Sequence, residues 1–561
     1  MNRGYLRLKH GLFCLSFLLL LASCNRNKSS RGVGGEANQA SEVTVDSLFI
    51  RDYLAAEPQL KEQSELVYLF YGDREYKMGW FRNGKLIPEA QRFLEAVDES
   101  SQDGLNPEEY KVKDFGAMFE QLESLKKRDS TRIALQKEID VALTASYFNF
   151  ASDFYRGKVD PREVDHIDWS VKRNKIKLHK ALQTILRERD SRYPYYQFEA
   201  LHDGYRQLRT ALAQYRQIQE QGGWPRVPSP SKPLKLGDSA EVVPVLRQRL
   251  FPASEANAMG EGAYVYDEKL EQAVKGFQIR HGLNPDGSLG GETLKMMNIP
   301  VEDRIDQILL NMERWRWVPK RFTPKELPDK YLFVNIPEYK LHVMEEGQEV
   351  LDMRVIVGKT MHSTPVFSDK LEYVVMAPYW NVPVSIVVNE LKPKLINNPN
   401  FLESQDMELV DLKTKAPMSP SSIDWSSVTE DNFTHLIRQR PGPKNSLGLV
   451  KFLFPNEYNV YLHDTPTGSL FNLASRGFSH GCVRVEEPLK LANYLLNGHP
   501  EWNEQMIRET MNGGEETWVT LEEKVPVYIV YFTAWIDKNG AVHFRDDIYG
   551  HDQALAREYF D

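Results

Sequence analysis

Cys482 is the residue around which chemistry can be organised. It stands in Ser479-His480-Gly481-Cys482-Val483-Arg484, and His463 precedes that run with fifteen residues between it and Ser479. A thiol is a weak nucleophile and a thiolate a strong one, and a free Cys titrates near ~8.5. An imidazole at 463 can take the proton if a carbonyl or carboxylate holds its second ring nitrogen; the backbone of Asp464 is close enough in sequence to do so. The backbone N–H groups of Gly481 and Cys482 can form an oxyanion hole, and a glycine at 481 lets a substrate carbonyl approach closely. Arg484 adds positive potential that favours a thiolate and a carboxylate-bearing substrate. His480, beside the nucleophile, reads as a residue that orients the loop. A zinc site is the competing use of His463, His480 and Cys482, but it calls for a fourth ligand and no second Cys lies nearby.

Cysteine usage points the same way. The chain has three: Cys14, Cys24 and Cys482. Residues 1–23 read as an export leader, with Arg3, Arg7 and Lys9 ahead of an apolar run from Gly11 to Ala22. That run is shorter than the roughly 20 residues needed to span a bilayer. Leu21-Ala22-Ser23-Cys24 resembles a bacterial lipobox, which implies that Cys24 is acylated and holds the mature chain to a membrane. Cys482 is then the one free thiol of an exported protein. In an oxidising compartment a lone Cys is better explained by reactivity than by packing.

The elements that must position these groups are legible around them. Asn459 to Leu462 reads as a short buried strand that delivers His463 to its end. Pro488 to Leu496 reads as a helix, with Leu489, Ala492, Leu495 and Leu496 on one face. Cys482 therefore lies in a loop between strand and helix. Upstream, Tyr331–Ile336, Lys340–Met344 and Leu351–Val357 read as strands, with Glu346-Gly347 as a hairpin turn. Tyr373–Met376 leads into Pro378-Tyr379-Trp380-Asn381, where Trp380 either lines a pocket or packs in a core. Residues 391–447 are polar and rich in proline and read as an insertion, with Trp425, Phe433 and Leu436 as its own small core, which the resemblance given below makes a lid. Downstream, Pro526–Phe532 is a strand, and Thr533–Trp535 pairs with Val542–Phe544 through Asn539-Gly540, a type I′ signal.

The rest of the chain is organised in blocks. Its 561 residues call for several domains. A net charge of −9 without a basic block argues against nucleic acid as partner, and loss of the leader makes the mature chain more acidic still. Residues 24–46 read as a flexible tether. Residues 47–222 are helical, most clearly from Thr131 to Arg156, where Gly157 supplies the stop. Four prolines between Trp224 and Pro233 mark a linker. Residues 234–300 form a compact module with Phe277 as core and His281 as a structural residue.

His463 and the Ser479–Arg484 run together resemble the signature of the L,D-transpeptidase (YkuD-type) catalytic domain. Asp103–Tyr110, Tyr155–Pro161 and Gln221–Pro225 resemble the scaffold domain of its large periplasmic members, and Leu234–Gln278 resembles a peptidoglycan-binding module of the PG-binding-1 type. The resemblance implies that Cys482 is the nucleophile and His463 its base, with Ser479, His480, Gly481, Arg484 and Trp380 around the substrate. It implies a tetrapeptide-stem donor, an acceptor stem, a 3→3 peptidoglycan cross-link made through a thioester, and acylation by carbapenems. It implies neither cofactor nor metal, and leaves room for cell-wall synthesis proteins to bind the scaffold. Two rivals stay open: a hydrolase acting on stem peptides as carboxypeptidase or endopeptidase, and a non-catalytic peptidoglycan-binding lipoprotein anchor. The fold class expected is multidomain α+β: a mixed β catalytic domain at 329–546 carrying the lid, an all-α scaffold at 47–222, a small helical module at 234–300 and a C-terminal tail at 547–561.

Overall fold

The computed structural model describes residues 43–560 apart from 112, 127–128, 165–166, 168, 171–175, 188–201, 252–261 and 319–329. The leader at 1–23, Cys24 and the tether as far as residue 42 lie outside the described residues. Among the described residues no helix is long and apolar enough to cross a membrane.

The longest helix, α1 (Ser130–Arg156), opens where Asp129 accepts from the Thr131 N–H and stops at Gly157 with φ +89°. Its buried residues include Ile139, Leu143 and Phe148 and lie all round the helix, so it runs through the middle of the helical region. Asp140 is buried within it but satisfied, accepting from the Tyr71 hydroxyl (2.6 Å) and from the N–H groups of Gly79 (3.0 Å) and Trp80 (2.7 Å). A second helix of this region, α2 (Asp203–Glu220), buries Leu208 and Leu212.

The module after the linker has its own core. Helices α3 (Val243–Leu250), α4 (Glu268–Arg280) and α5 (Gly291–Met297) bury Leu246, Leu270, Val274, Phe277 and Met297 together. The His281 ring stacks on Phe277 at 3.8 Å, and its Nδ1–H donates to the Phe277 carbonyl.

The next helix, α6 (Val301–Trp317), joins the parts. Glu313, Arg314 and Arg316 on it are buried and paired. Glu313 bonds Arg316 (2.7 Å) and accepts from the Val159 N–H, while Arg316 donates to the Asp103 carbonyl and the Tyr205 hydroxyl. On its other side Asn311 exchanges hydrogen bonds with Thr533 of the β domain. Leu208 and Leu212 of α2, Ile308 and Met312 of α6, and Leu332 and Val334 of the β domain therefore belong to one continuous core.

The β domain is a mixed nine-stranded sheet. It opens with β1 (Lys330–Asn335), β2 (Lys340–Glu345), β3 (Gln348–Gly358) and β4 (Phe367–Met376). Glu346 and Gly347 both take positive φ between β2 and β3, as a type I′ turn requires. The sheet closes on itself because β2 pairs with both β1 and β3. Its inward face alternates along each strand, with Leu351, Met353 and Val355 of β3 as the clearest run.

The segment expected to be a lid with little structure is a folded subdomain. Four strands, β5 (Trp380–Asn381), β6 (Met407–Asp411), β7 (Pro417–Met418) and β8 (His435–Gln439), pair in the order β5–β8–β6–β7. Val387, Leu395, Leu409, Trp425 and Ile437 make its core. Ile437 is buried where Leu436 was expected, because neighbouring residues of a strand face opposite ways.

The main sheet resumes with β9 (Val450–Leu453), β10 (Leu462–His463), β11 (Gly477–Ser479), β12 (Val483–Val485) and β13 (Thr517–Val530), with helix α7 (Pro488–Leu495) after β12. A hairpin of β14 (Ala534–Ile536) and β15 (Val542–Phe544) follows. Of its turn residues only Gly540 has positive φ, so the connection is not type I′; the Asp537 carboxylate accepts from the Asn539 and Ala541 N–H groups and sets a longer loop. Residues 547–561 were expected to be a tail. Instead α8 (His551–Phe560), capped by Asp547, buries Leu555 and Tyr559, and the Tyr559 hydroxyl donates to the Gly104 carbonyl (2.6 Å).

Candidate active site

Two short parallel strands build the site. β10 and β12 pair with Leu462 opposite Val483 and His463 opposite Arg484, and the Val483 N–H donates to the Tyr461 carbonyl. Alternation along each strand then puts Tyr461, His463, Cys482 and Arg484 on one face, with Tyr461 opposite Cys482. Leu462, Val483 and Val485 point the other way into the core. Burial of those three side chains fixes the register that presents the polar four.

His463 is 4% exposed. Its Nδ1–H donates to the Asp464 carbonyl at 2.5 Å, which leaves Nε2 as the acceptor. Asp464 is itself fixed, since its carboxylate accepts from the Leu449 and Thr465 N–H groups. Burial, with Arg484 beside it, pushes the imidazole down to about 3. The Cys482 thiol is half-buried, and desolvation raises it above the ordinary thiol range, although the Tyr461 hydroxyl and N–H and the Arg484 charge all work to lower it. The resting site therefore holds a neutral thiol and a neutral imidazole, not the anionic sulfur expected from the residue types. The Cys482 Sγ also faces the Asn459 carbonyl at 3.9 Å.

The loop before the thiol is held by its own polar atoms. Ser479 Oγ donates to the Cys482 carbonyl (2.5 Å) and accepts from the Gly481 N–H (3.1 Å). The Gly481 amide expected in an oxyanion hole is thus already engaged, and the Cys482 N–H is the remaining amide of that pair. Gly481 has φ +111°, a conformation side-chain-bearing residues avoid. Its carbonyl accepts from Thr364 Oγ1 (2.8 Å), which in turn accepts from the Gly358 N–H (2.9 Å).

His480 leaves this cluster. Its Nε2 pairs with Glu390 Oε1 at 2.7 Å, and its ring lies 5.1 Å from that of His362. Glu390 comes from the lid subdomain, on a π-helical turn (Val387–Leu391). Trp380 lies in β5 and packs half-buried against the lid core, in the lid's sheet. Arg484 donates to Thr467 Oγ1 (3.4 Å), while its buried Nε has no partner among the described residues. Tyr461 and Glu390 were missed at the level of sequence. Tyr461 stands two residues before His463, the same-face spacing of a strand, and that spacing could have flagged it; Glu390 carries no comparable signal.

Residues 65–212 match the family model of the scaffold domain, and residues 259–297 that described as "Putative peptidoglycan binding domain". Residues 329–521 match the L,D-transpeptidase catalytic domain. Residues 329–521 are thus similar to that catalytic domain. The family read from Ser479–Arg484 and from the two accessory phrases is the one matched, and the mixed α+β class agrees with it. A curated protein of Haemophilus influenzae named "Putative L,D-transpeptidase" is 36% identical over 255 residues, which are 45% of this chain and 50% of that protein. The chain thus spans about half the length of that relative. Among solved structures, the L,D-transpeptidase of Xylanimonas cellulosilytica is similar at 14% identity with a TM-score of 0.18, covering 54% of this chain and 100% of its own. That of Stackebrandtia nassauensis is similar at 16% identity and a TM-score of 0.20, covering 54% and 97%. Cys482 and His463 both fall inside the matched region, His463 in β10 and Cys482 immediately before its neighbour β12.

Proposed function

We propose that this chain is a peptidoglycan L,D-transpeptidase that makes 3→3 cross-links through a thioester on Cys482. The observation that carries the reading is the pairing of β10 with β12, which sets His463, tautomer-fixed by Asp464, opposite Arg484 and on the same face as Cys482. In the first half-reaction Cys482 attacks the carbonyl of stem residue three as His463 Nε2 takes the thiol proton. The Cys482 N–H stabilises the oxyanion. The amide bond to D-Ala breaks, His463 returns the proton to the leaving amine, and the thioester remains. In the second, the side-chain amine of another stem's third residue attacks the thioester, His463 takes its proton and returns it to the departing sulfur, and an amide forms. Starting from neutral partners suits this cycle, because the proton moves only when a carbonyl is in place to receive the sulfur. Arg484, with its unpaired Nε, is suited to a stem carboxylate.

The same reading places the enzyme outside the cytoplasm. Cys24 is proposed to carry the acyl anchor, the module at 234–300 to dock on the wall, and the scaffold to receive cell-wall synthesis proteins. The lid, latched through Glu390 to His480, favours aminolysis over hydrolysis by keeping water from the thioester. Mass spectrometry of muropeptides after incubation of purified protein with tetrapeptide donors tests the proposal. Cross-linked dimers with release of D-Ala are expected, along with a covalent adduct that Cys482→Ala removes. Tripeptide products alone would make the protein a hydrolase. Wall composition and complementation unchanged by Cys482→Ala would make it an anchor.

A further inference from the structure

A cleft of about 510 Å³ lies between the peptidoglycan-binding-like module and the β domain, within the size range of ligand sites. One wall comes from the module, through His281, Asn284, Asp286, Ser288 and Gly290; the other from the β domain, through Tyr339, Ser475 and Arg545. The site described above does not use it. Resting on the transpeptidase reading, we propose that this cleft binds the glycan strand of the donor and so aims its stem peptide at Cys482.

The chemistry of the lining selects a sugar. It offers hydroxyl, amide and carboxylate groups, with small glycines between them. Asp286, Glu292 and Asp546 outweigh Arg545, so an anionic polymer is disfavoured. His281 donates Nδ1–H to the Phe277 carbonyl, and burial among Arg304, Arg280 and Arg249 holds it neutral, leaving Nε2 as an acceptor for a sugar hydroxyl or acetamide N–H. Tyr339, its buried ring under the Arg476 guanidinium, adds a hydroxyl that contacts Ser475 Oγ (3.3 Å). The cleft is also continuous with the nucleophile loop. From Ser475 in its wall the chain runs into β11 (Gly477–Ser479), and Cys482 follows three residues later. Seven positions separate Ser475 from Cys482, so the two are at most roughly 25 Å apart along the chain.

The test fills the cleft from the module side. A Cβ at Gly290 meets nothing within 4 Å, and its backbone is extended, so Gly290→Trp is tolerated by the fold while projecting into the lining. Asn284→Ala, a smaller change, serves as the second variant. Thioester formation is measured on a disaccharide-tetrapeptide and on the sugar-free tetrapeptide, and binding of stem-free glycan strands is measured on the mature full chain. Gly290→Trp should raise KM about tenfold for the disaccharide donor only, leave the sugar-free donor unchanged and weaken glycan binding by a similar factor. Asn284→Ala should shift the same two values in the same direction by a smaller factor. Equal effects on the two donors, or glycan binding unaltered by both variants, would overturn the cleft. A wild type inactive on both donors would overturn the transpeptidase reading, and the binding measurement would still decide the cleft.

Discussion

His480 and Glu390 are joined at 2.7 Å, so the residue two positions before the thiol is gripped by the lid and not by its own strand. Both side chains are partly exposed, 35% and 46%, which limits such a pair to about 0.2–1 kcal/mol. Glu390→Gln should therefore loosen the lid without unfolding it. The expected outcome is a two- to fivefold rise in the ratio of hydrolysis to transfer, by the same ~1 kcal/mol ceiling, read from tripeptide and dimer yields. An unchanged ratio would remove the lid from water exclusion.

A neutral Cys482–His463 pair has a distinctive pH signature. With His463 held near about 3 and the thiol raised, neither group changes charge around neutrality. Alkylation of Cys482 by iodoacetamide should keep rising beyond the ordinary thiol value of ~8.5, with no thiolate plateau at neutral pH. Stability follows the same groups. The unfolded chain protonates His463 below its ordinary ~6.5 and the folded one does not until about 3, so stability falls as pH drops through that window. His463→Gln should flatten that slope in urea titrations between those limits.

Ser479 is a positioning residue. Ser479→Ala leaves the Gly481 N–H without its acceptor and frees the Cys482 carbonyl, a cost of about 1–2 kcal/mol at the loop. The acylation rate should fall about tenfold while KM stays nearly constant, and Ser479→Thr should restore most of it. Full activity in Ser479→Ala would show that the loop is held by Thr364 alone.

In the helical region, Asp140→Ala orphans the buried N–H groups of Gly79 and Trp80 and leaves the Tyr71 hydroxyl with Thr144 Oγ1 in place of the carboxylate. A loss of about 3 kcal/mol is expected, seen as a lower urea midpoint with faster hydrogen exchange confined to this region. Burial raises the Asp140 carboxyl to about 6, so the native state holds a proton that the unfolded chain releases nearer ~4, and its contribution declines as pH rises through that interval. Asp140→Ala should abolish that decline as well.

What the sequence determined by itself are the features written in local chemistry. Cys482 and His463 stand out because nucleophile and base types recur there at a fixed spacing. The Glu346-Gly347 turn and the helix stopped by Gly157 follow from backbone preferences of single residues. Tertiary structure decided everything that depends on what lies across from a residue. Short strands between prolines hid the lid's sheet, because Met407–Asp411 and His435–Gln439 gain their meaning only by pairing. Charged residues masked α6, whose Glu313 and Arg316 are buried because each meets a partner remote in sequence. The protonation of Cys482 and His463 was decided last. A thiol and an imidazole suggest an ion pair, but the free energy of charge depends on solvent, and only the folded chain removes the water from both.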